Sequence, residues 1–275
     1  DETVVGIYWF AYMLSLQSVM LLSNTLSQVL LPALSQLNDD PDRQREAFLR
    51  AARMLAGAGV FICLLQAACA APAVRLLLPV EQAPIIPVIQ ILSIGMAIRI
   101  GWTASRNLIL AQGRFRTYFG LVILYTGIFI AAAMTAVQIA TPETAGVAMA
   151  VAVACFCIFV GPFDLWMAIR AVGGRWRHVA RVFGAPVSAA ILALLGPLVI
   201  DLLLLPSPGG ASASTATETA TGVEGVSTIR IFADVARLAI YSVGGGVLYV
   251  VLIRRFEPSV WREFRSRLVN LRSRK

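Results

Sequence analysis

Along this chain, long oily runs are separated by short polar joints. Seven runs reach the ~20 mostly apolar residues that a bilayer-spanning helix needs: about 5 to 31, 54 to 79, 86 to 111, 118 to 140, 146 to 169, 183 to 205 and 231 to 253. The pattern predicts an all-α integral membrane protein with seven transmembrane helices. The membrane domain covers residues 1–257. A basic amphipathic tail follows at 258–275, where Val260, Trp261, Phe264, Leu268 and Leu271 gather on one side of a helix, with Arg262, Arg265, Arg272 and Arg274 largely around the other.

The change of character between Gln28 and Arg53 is the sharpest in the chain. "QVLLPALSQLNDDPDRQREAFLRAAR" begins as membrane helix, passes a proline and an acidic turn, and ends rich in arginine. Pro32 is expected to end or kink the first helix, because it has no N–H and crowds the preceding turn. A surface helix is expected next, with Asp40 as N-cap, Pro41 at the first helical position and Asp42 near the positive helix end. The second span would then start near residue 54.

Composition supports a membrane protein: 58% of residues are hydrophobic and 14% charged, where a soluble domain has about a quarter charged. Charge placement adds an orientation. The joint 36–53 holds four arginines, "QGRFRT" two, "RAVGGRWRHVAR" four and the chain from Arg254 on eight Lys or Arg. "PVEQAPIIP", "TPETAG" and the segment 206–228 hold none. Since basic joints stay cytoplasmic, the N-terminus is expected outside and the C-terminus inside. The net charge of +8 follows from this bias; it points to anionic membrane lipids as partners and requires no nucleic acid.

Several chemistries find no support. Cys63, Cys69, Cys155 and Cys157 sit inside apolar spans without C-x-x-C spacing and read as small packing residues. His178 is the only histidine and lies among arginines in a joint, so neither a histidine metal site nor a nucleophile–histidine pair is expected within the membrane, and no catalytic residue or cofactor is assigned. The Ser, Thr, Ala and Gly-rich segment 206–228 is expected to be a disordered external loop. The chain shows no cleavable signal peptide and opens on Asp1 rather than Met, which predicts a piece of a longer protein.

Five basic residues fall outside the cytoplasmic joints: Arg75, Arg99, Arg106, Arg230 and Arg237. Arg75 is near a helix end, where snorkelling suffices, and Arg230 and Arg237 flank Asp234 at pairing distance. Arg99 lies midway along the third span, where an arginine costs about 2.5 to 3.5 kcal/mol on insertion scales. It should therefore face protein or water, either in a buried salt bridge, with Asp164 as candidate partner, or toward a ligand. Thr103 and Arg106 follow at spacings of four and seven on the same face, with Asn107 beside them. In the first span Gln17, Asn24 and Gln28 form a similar stripe, open to helix-to-helix hydrogen bonding or to ligand, and Tyr8, Tyr12 and Ser15 mark a second polar line.

The segments "GIYWFAYMLSLQ", "VLLPALSQLNDDPDR", "FLRAARML", "IQILSIGMAIR" and "LILAQGRFR" occur in that order. Together the chain resembles the C-terminal half of bacterial polysaccharide exporters of the O-antigen flippase type, in the multidrug, oligosaccharidyl-lipid and polysaccharide exporter superfamily. Gly6, Tyr8 and Ala11, Pro32 and Ser35, Asp40, and Gly113 with Arg114 carry the likeness, with "TAGVAMA" around Gly146 and Pro162 further on. It covers roughly residues 5 to 182; the last two spans agree in topology only. The family's usual Gly and Trp after the second helix are replaced by "LPVEQAP", with Pro79 at the glycine position.

This resemblance implies a fourteen-helix transporter of two lobes, of which the N-terminal lobe is missing here. It implies a flippase that carries an undecaprenyl-diphosphate-linked oligosaccharide across the bacterial inner membrane by alternating access. Arg99 and Arg106 would hold the diphosphate, with Thr103 beside them, and Gln17 and Asn24 would meet sugar hydroxyls. A multidrug-type cation-coupled antiporter is the nearest alternative, with Asp164 as its lone candidate carboxylate. A retinal protein is excluded by the absence of an intrahelical lysine, since Lys275 is the only one. A G-protein-coupled receptor finds no matching motif. A membrane transferase would need a surface carboxylate cluster, and Asp39, Asp40 and Asp42 are better used in a helix cap.

Overall fold

The computed structural model describes residues 2–79, 82–141, 144–204 and 223–256. Among these every regular element is helical: α1 (Glu2–Ser35), α2 (Pro41–Leu77), α3 (Ile85–Ala111), α4 (Phe115–Ile139), α5 (Ala145–Arg170), α6 (Trp176–Leu204), α7 (Val223–Ala239) and α8 (Gly245–Phe256). A π-helical turn, Ile240–Gly244, joins α7 to α8, and the three form the seventh apolar span, Ile231–Arg255. Seven helices are thus long and apolar enough to cross a membrane. The arginine-rich joints fall at alternate turns, between α1 and α2, α3 and α4, and α5 and α6.

The entry into α2 follows its sequence signals, but its extent differs. Asp40 is the N-cap, its Oδ1 accepting the Arg43 N–H at 3.1 Å, and Pro41 opens the helix. The surface helix and the second span are one helix of 37 residues, about 55 Å at 1.5 Å per residue. No Gly or Pro stands between Asp42 and Ala56 to break it. Similarly α1 runs through Pro32 to Ser35, since a proline in the final turn removes only one interior hydrogen bond. Pro72, Pro162, Pro186 and Pro197 also lie inside helices, as membrane helices tolerate. The segment expected to be disordered up to 228 is corrected at its end: helix begins at Val223. Residues 205–222 and the tail 257–275 lie outside the described residues.

Packing is centred on α3, which contacts α1, α2, α4 and α5. Leu92, Met96, Ile100 and Leu108 on this helix are wholly buried. Two glycines set its distance from α5. A Cβ on Gly95 would lie 2.6 Å from the Ala154 Cα, and one on Gly161 would lie 3.1 Å from the Ile98 carbonyl oxygen. Small residues let membrane helices approach backbone to backbone. Ser15 and Ser93 hydroxyls lie 3.5 Å apart, Ser18 donates to Gln66 at 2.8 Å, and Asn107 donates to Ser27 at 3.2 Å, linking α1 to α2 and α3. On the far side, the Tyr249 hydroxyl donates to the Gly57 carbonyl and its ring stacks on Phe61 at 4.2 Å, which ties α8 to α2. Helix α4 is peripheral: only Leu121 and Tyr125 are buried along its 25 residues.

Candidate functional site

Arg99 is the fifteenth residue of α3, about 21 Å from its first residue and about 18 Å from its last. It follows the close α3–α5 approach at Gly95 and Ile98, and its side chain meets Tyr12 of α1 in a cavity also lined by Tyr125 and Thr126 of α4. The guanidinium Nη1 donates to the Tyr12 hydroxyl at 3.3 Å and lies 3.5 Å from the Met96 sulfur. Its central carbon is 5.6 Å from the Trp102 ring centre, within cation–π range. Trp102 in turn meets Tyr125 edge-on at 5.6 Å and Phe156 at 6.0 Å. Tyr12, Arg99, Trp102, Tyr125 and Phe156 line a cavity of about 260 Å³ with Thr126, Phe129 and Cys157.

The salt bridge considered between Arg99 and Asp164 does not form. Asp164 is 3% exposed, and its Oδ1 accepts the Tyr125 hydroxyl at 3.0 Å, while its Oδ2 has no hydrogen-bond partner. Tyr125, which bonds Asp164, meets the Trp102 ring that Arg99 lies against. Among the described residues no Asp or Glu forms an ion pair with Arg99. A guanidinium held at mid-depth by a phenol, a thioether and an indole face retains most of its five N–H donors for a further partner. Such a pocket is chemically suited to a phosphate or carboxylate oxygen.

The other residues singled out from the sequence are placed differently. Arg106 is exposed, its central carbon 5.4 Å from the Tyr118 ring centre, and Thr103 is half-buried between the two arginines. Gln17, Asn24 and Gln28 are exposed on α1, and no hydrogen bond among the described residues joins them to another helix; Gln66, Ser18, Ser27 and Asn107 do that work instead. Neither Gln17 nor Asn24 lines the Arg99 cavity. Tyr12, from the second polar line of α1, does, and so do Trp102 and Tyr125, which nothing in the sequence distinguished from core aromatics.

A second set of charges lies between α2 and α7. Asp234 accepts from Arg237 at 3.2 Å and is 3.9 Å from Arg75, so Arg75 is paired across helices rather than only snorkelling. The side chain of Arg230 lies outside the described residues. All four cysteines are free; Cys63 and Cys157 are buried, whereas Cys155 is exposed on α5. Among the described residues no three His, Cys, Asp or Glu gather as a metal site.

A family model described as "Polysaccharide biosynthesis protein" matches residues 1–87, which covers α1, α2 and the opening of α3. No curated protein and no solved structure matches the chain. Over its first 87 residues the chain is therefore similar to polysaccharide biosynthesis proteins, and its apolar helices make it a multi-pass membrane protein. Tyr12 lies within the matched segment; Arg99, Trp102 and Tyr125 lie beyond it.

Proposed function

We propose that this chain is a lobe of an exporter that moves an undecaprenyl-diphosphate-linked oligosaccharide across the bacterial inner membrane, for the synthesis of a surface polysaccharide. The protein acts as a transporter and not as an enzyme. The observation that carries the reading is Arg99, a mid-membrane cation that opens on a cavity and has no carboxylate against it among the described residues. The match to polysaccharide biosynthesis proteins over residues 1–87 supports the class of cargo. Guanidinium offers phosphate a planar fork of donors, and Tyr12 and Trp102 hold that fork in place. Arg106, exposed toward the arginine-rich end of α3, would receive the diphosphate before or after Arg99, with Thr103 between them. The exposed amides Gln17 and Asn24 would face sugar hydroxyls in a cavity shared with a second lobe, and alternating access of the two lobes would carry the cargo across.

The test is surface polysaccharide in an exporter-null strain that supplies any missing part of the transporter. Arg99→Ala is expected to lose export by at least tenfold at unchanged membrane abundance. Arg99→Lys should recover only part, because a point charge replaces a bidentate fork. Full export by Arg99→Ala rejects the ligand role. Loss of the protein itself assigns Arg99 to the fold.

One observation favours a second reading. The buried Asp164 carboxylate has an oxygen without partner, and a transported cation would satisfy it. This supports a cation-coupled antiporter of the multidrug type. Export of an organic cation, lost in Asp164→Asn and unaffected by Arg99→Ala, would replace the flippase reading with this one.

A further inference from the structure

Among the described residues, a larger cavity than the one that holds Arg99 lies nearby. A groove of about 780 Å³ runs between α4 and α5, inside the 300–1,000 Å³ range of ligand sites. Its walls are apolar nearly throughout, from Leu124 and Ile128 on α4 to Phe159 and Phe163 on α5, with Ala132 and Ala152 as the small residues that open it. On α4 it extends from Leu124 to Ile139, about 22 Å at 1.5 Å per residue. Half of a ~30 Å hydrocarbon core is only ~15 Å, so the groove is longer than one leaflet's acyl layer.

Two features tie this groove to the cationic pocket. Tyr125 and Phe156 line both cavities, so the Arg99 cavity lies alongside the groove and shares these two side chains with it. The polarity also changes across those two side chains: the groove is apolar, and the adjoining cavity holds a guanidinium with no carboxylate against it among the described residues. That sequence of surfaces matches a molecule with a long hydrocarbon chain and an anionic head. An ordinary core void would have no cation at its mouth, and a helix docked in the groove would leave the cation uncompensated.

We infer that the α4–α5 groove holds the hydrocarbon chain of an anionic amphiphile whose phosphate head lies against Arg99. This rests on the phosphate-gripping role proposed for Arg99 and adds to it the place of the chain. The groove leads away from the arginine-rich end of α4. In the orientation expected from the arginine bias, the chain then lies mostly in the outer half of the bilayer while the head is near mid-depth, which is a late stage of outward movement. Tyr125 stands at the junction: its ring lines both cavities, while its hydroxyl is turned to Asp164 and leaves the groove wall apolar.

The test uses the whole chain in phosphatidylcholine nanodiscs, photolysed with undecaprenyl diphosphate that carries a diazirine in its hydrocarbon chain. Adducts mapped by mass spectrometry are expected to concentrate at least fivefold on residues 124–139 and 148–163 relative to the exposed faces of α7 and α8. The excess should disappear in Arg99→Ala, and in Ala152→Trp or Ala132→Trp, which fill the groove from either wall. Diazirine-bearing undecaprenol, which lacks the charge, should label all exposed faces evenly. Binding of isopentenyl diphosphate reports the head pocket alone and should depend on Arg99 but not on Ala152 or Ala132. Arg99-dependent binding of isopentenyl diphosphate with evenly spread adducts would preserve the phosphate pocket and overturn the groove. Absence of Arg99-dependent binding of either probe would overturn the phosphate reading, and the groove assignment with it. Efficient bis-maleimide linkage of Cys155 between two chains would show a second copy covering the groove and would also overturn the inference.

Discussion

Replacing Tyr125 by Phe removes one hydroxyl from the wall between the two cavities and leaves its ring against Trp102 in place. That hydroxyl donates to Asp164 Oδ1 at 3.0 Å, and the other carboxylate oxygen has no partner. Two scales bear on the cost. Side-chain hydrogen bonds between membrane helices average about 0.6 kcal/mol with a maximum near 1.7. Hydrogen bonds to charged groups are worth about 1.5–3 kcal/mol, and a buried acceptor stripped of its partner costs a further desolvation term of similar size. The upper end of the membrane scale applies here, because the acceptor is a buried carboxyl and the Tyr125 hydroxyl is bonded to it at 3.0 Å. We expect Tyr125→Phe to destabilise the protein by about 1.5 kcal/mol, followed by reversible unfolding in mixed micelles. In an Asp164→Leu background the same change should cost less than about 0.5 kcal/mol, since no acceptor remains to be orphaned. Equal losses in the two backgrounds would show that the hydroxyl acts elsewhere and would refute the coupling between α4 and α5 described here.

Two further outcomes follow from the packing. Gly95→Val should destabilise by about 1–3 kcal/mol through overpacking, because its Cβ meets the Ala154 backbone rather than a movable side chain, and detergent unfolding midpoints would show it; export should fall with it, as the shift displaces Arg99. Asp40→Ala should cost about 1 kcal/mol of stability by removing the cap of α2, measured in the same micelles, while Asp40→Asn should keep most of it, since the amide oxygen also accepts the Arg43 N–H.

How far the sequence discloses the structure depends on what kind of signal each residue sends. The spans expected at 86–111, 118–140 and 146–169 appear as Ile85–Ala111, Phe115–Ile139 and Ala145–Arg170, since unbroken apolar runs meet turns built on Gly113, Gly173 and their neighbouring arginines. The boundary expected near residue 54 is absent for the complementary reason. There the solvent changes from water to lipid but the backbone preference does not, and α2 passes through both. Polarity likewise separates Val223 to Ser227 from the helix that contains them, although nothing in that stretch forbids helix. Arg99 was legible because a charge at mid-span has a cost that demands an explanation. Its surroundings were not: which face of α1 meets α3 is decided by Ala11, Ser15, Val19 and Ser23, the small or short side chains that bury there, and their burial brings Tyr12 rather than Gln17 to the guanidinium.

The face of α1 turned away from α3 carries its own consequence. Met13, Gln17, Met20, Leu21, Asn24 and Gln28 recur at helical spacing and are all exposed. The helix is apolar enough to span a membrane, yet its free face carries three amides among methionines, at depths where lipid offers no hydrogen bonds. Helix α4, by contrast, exposes Phe119, Ile123, Leu124, Ile130 and Met134, a surface that hydrocarbon satisfies fully. The molecule therefore has two different exteriors, and only one of them suits lipid. A polar seam that no other helix among the described residues covers requires water or another polar protein surface, which supports the proposed second lobe across a wet cavity. On the proposed reading, sugar and phosphate contacts would fall on different walls, amides on α1 and guanidinium on α3, and the Tyr12 hydroxyl that accepts from Arg99 would be where the two meet.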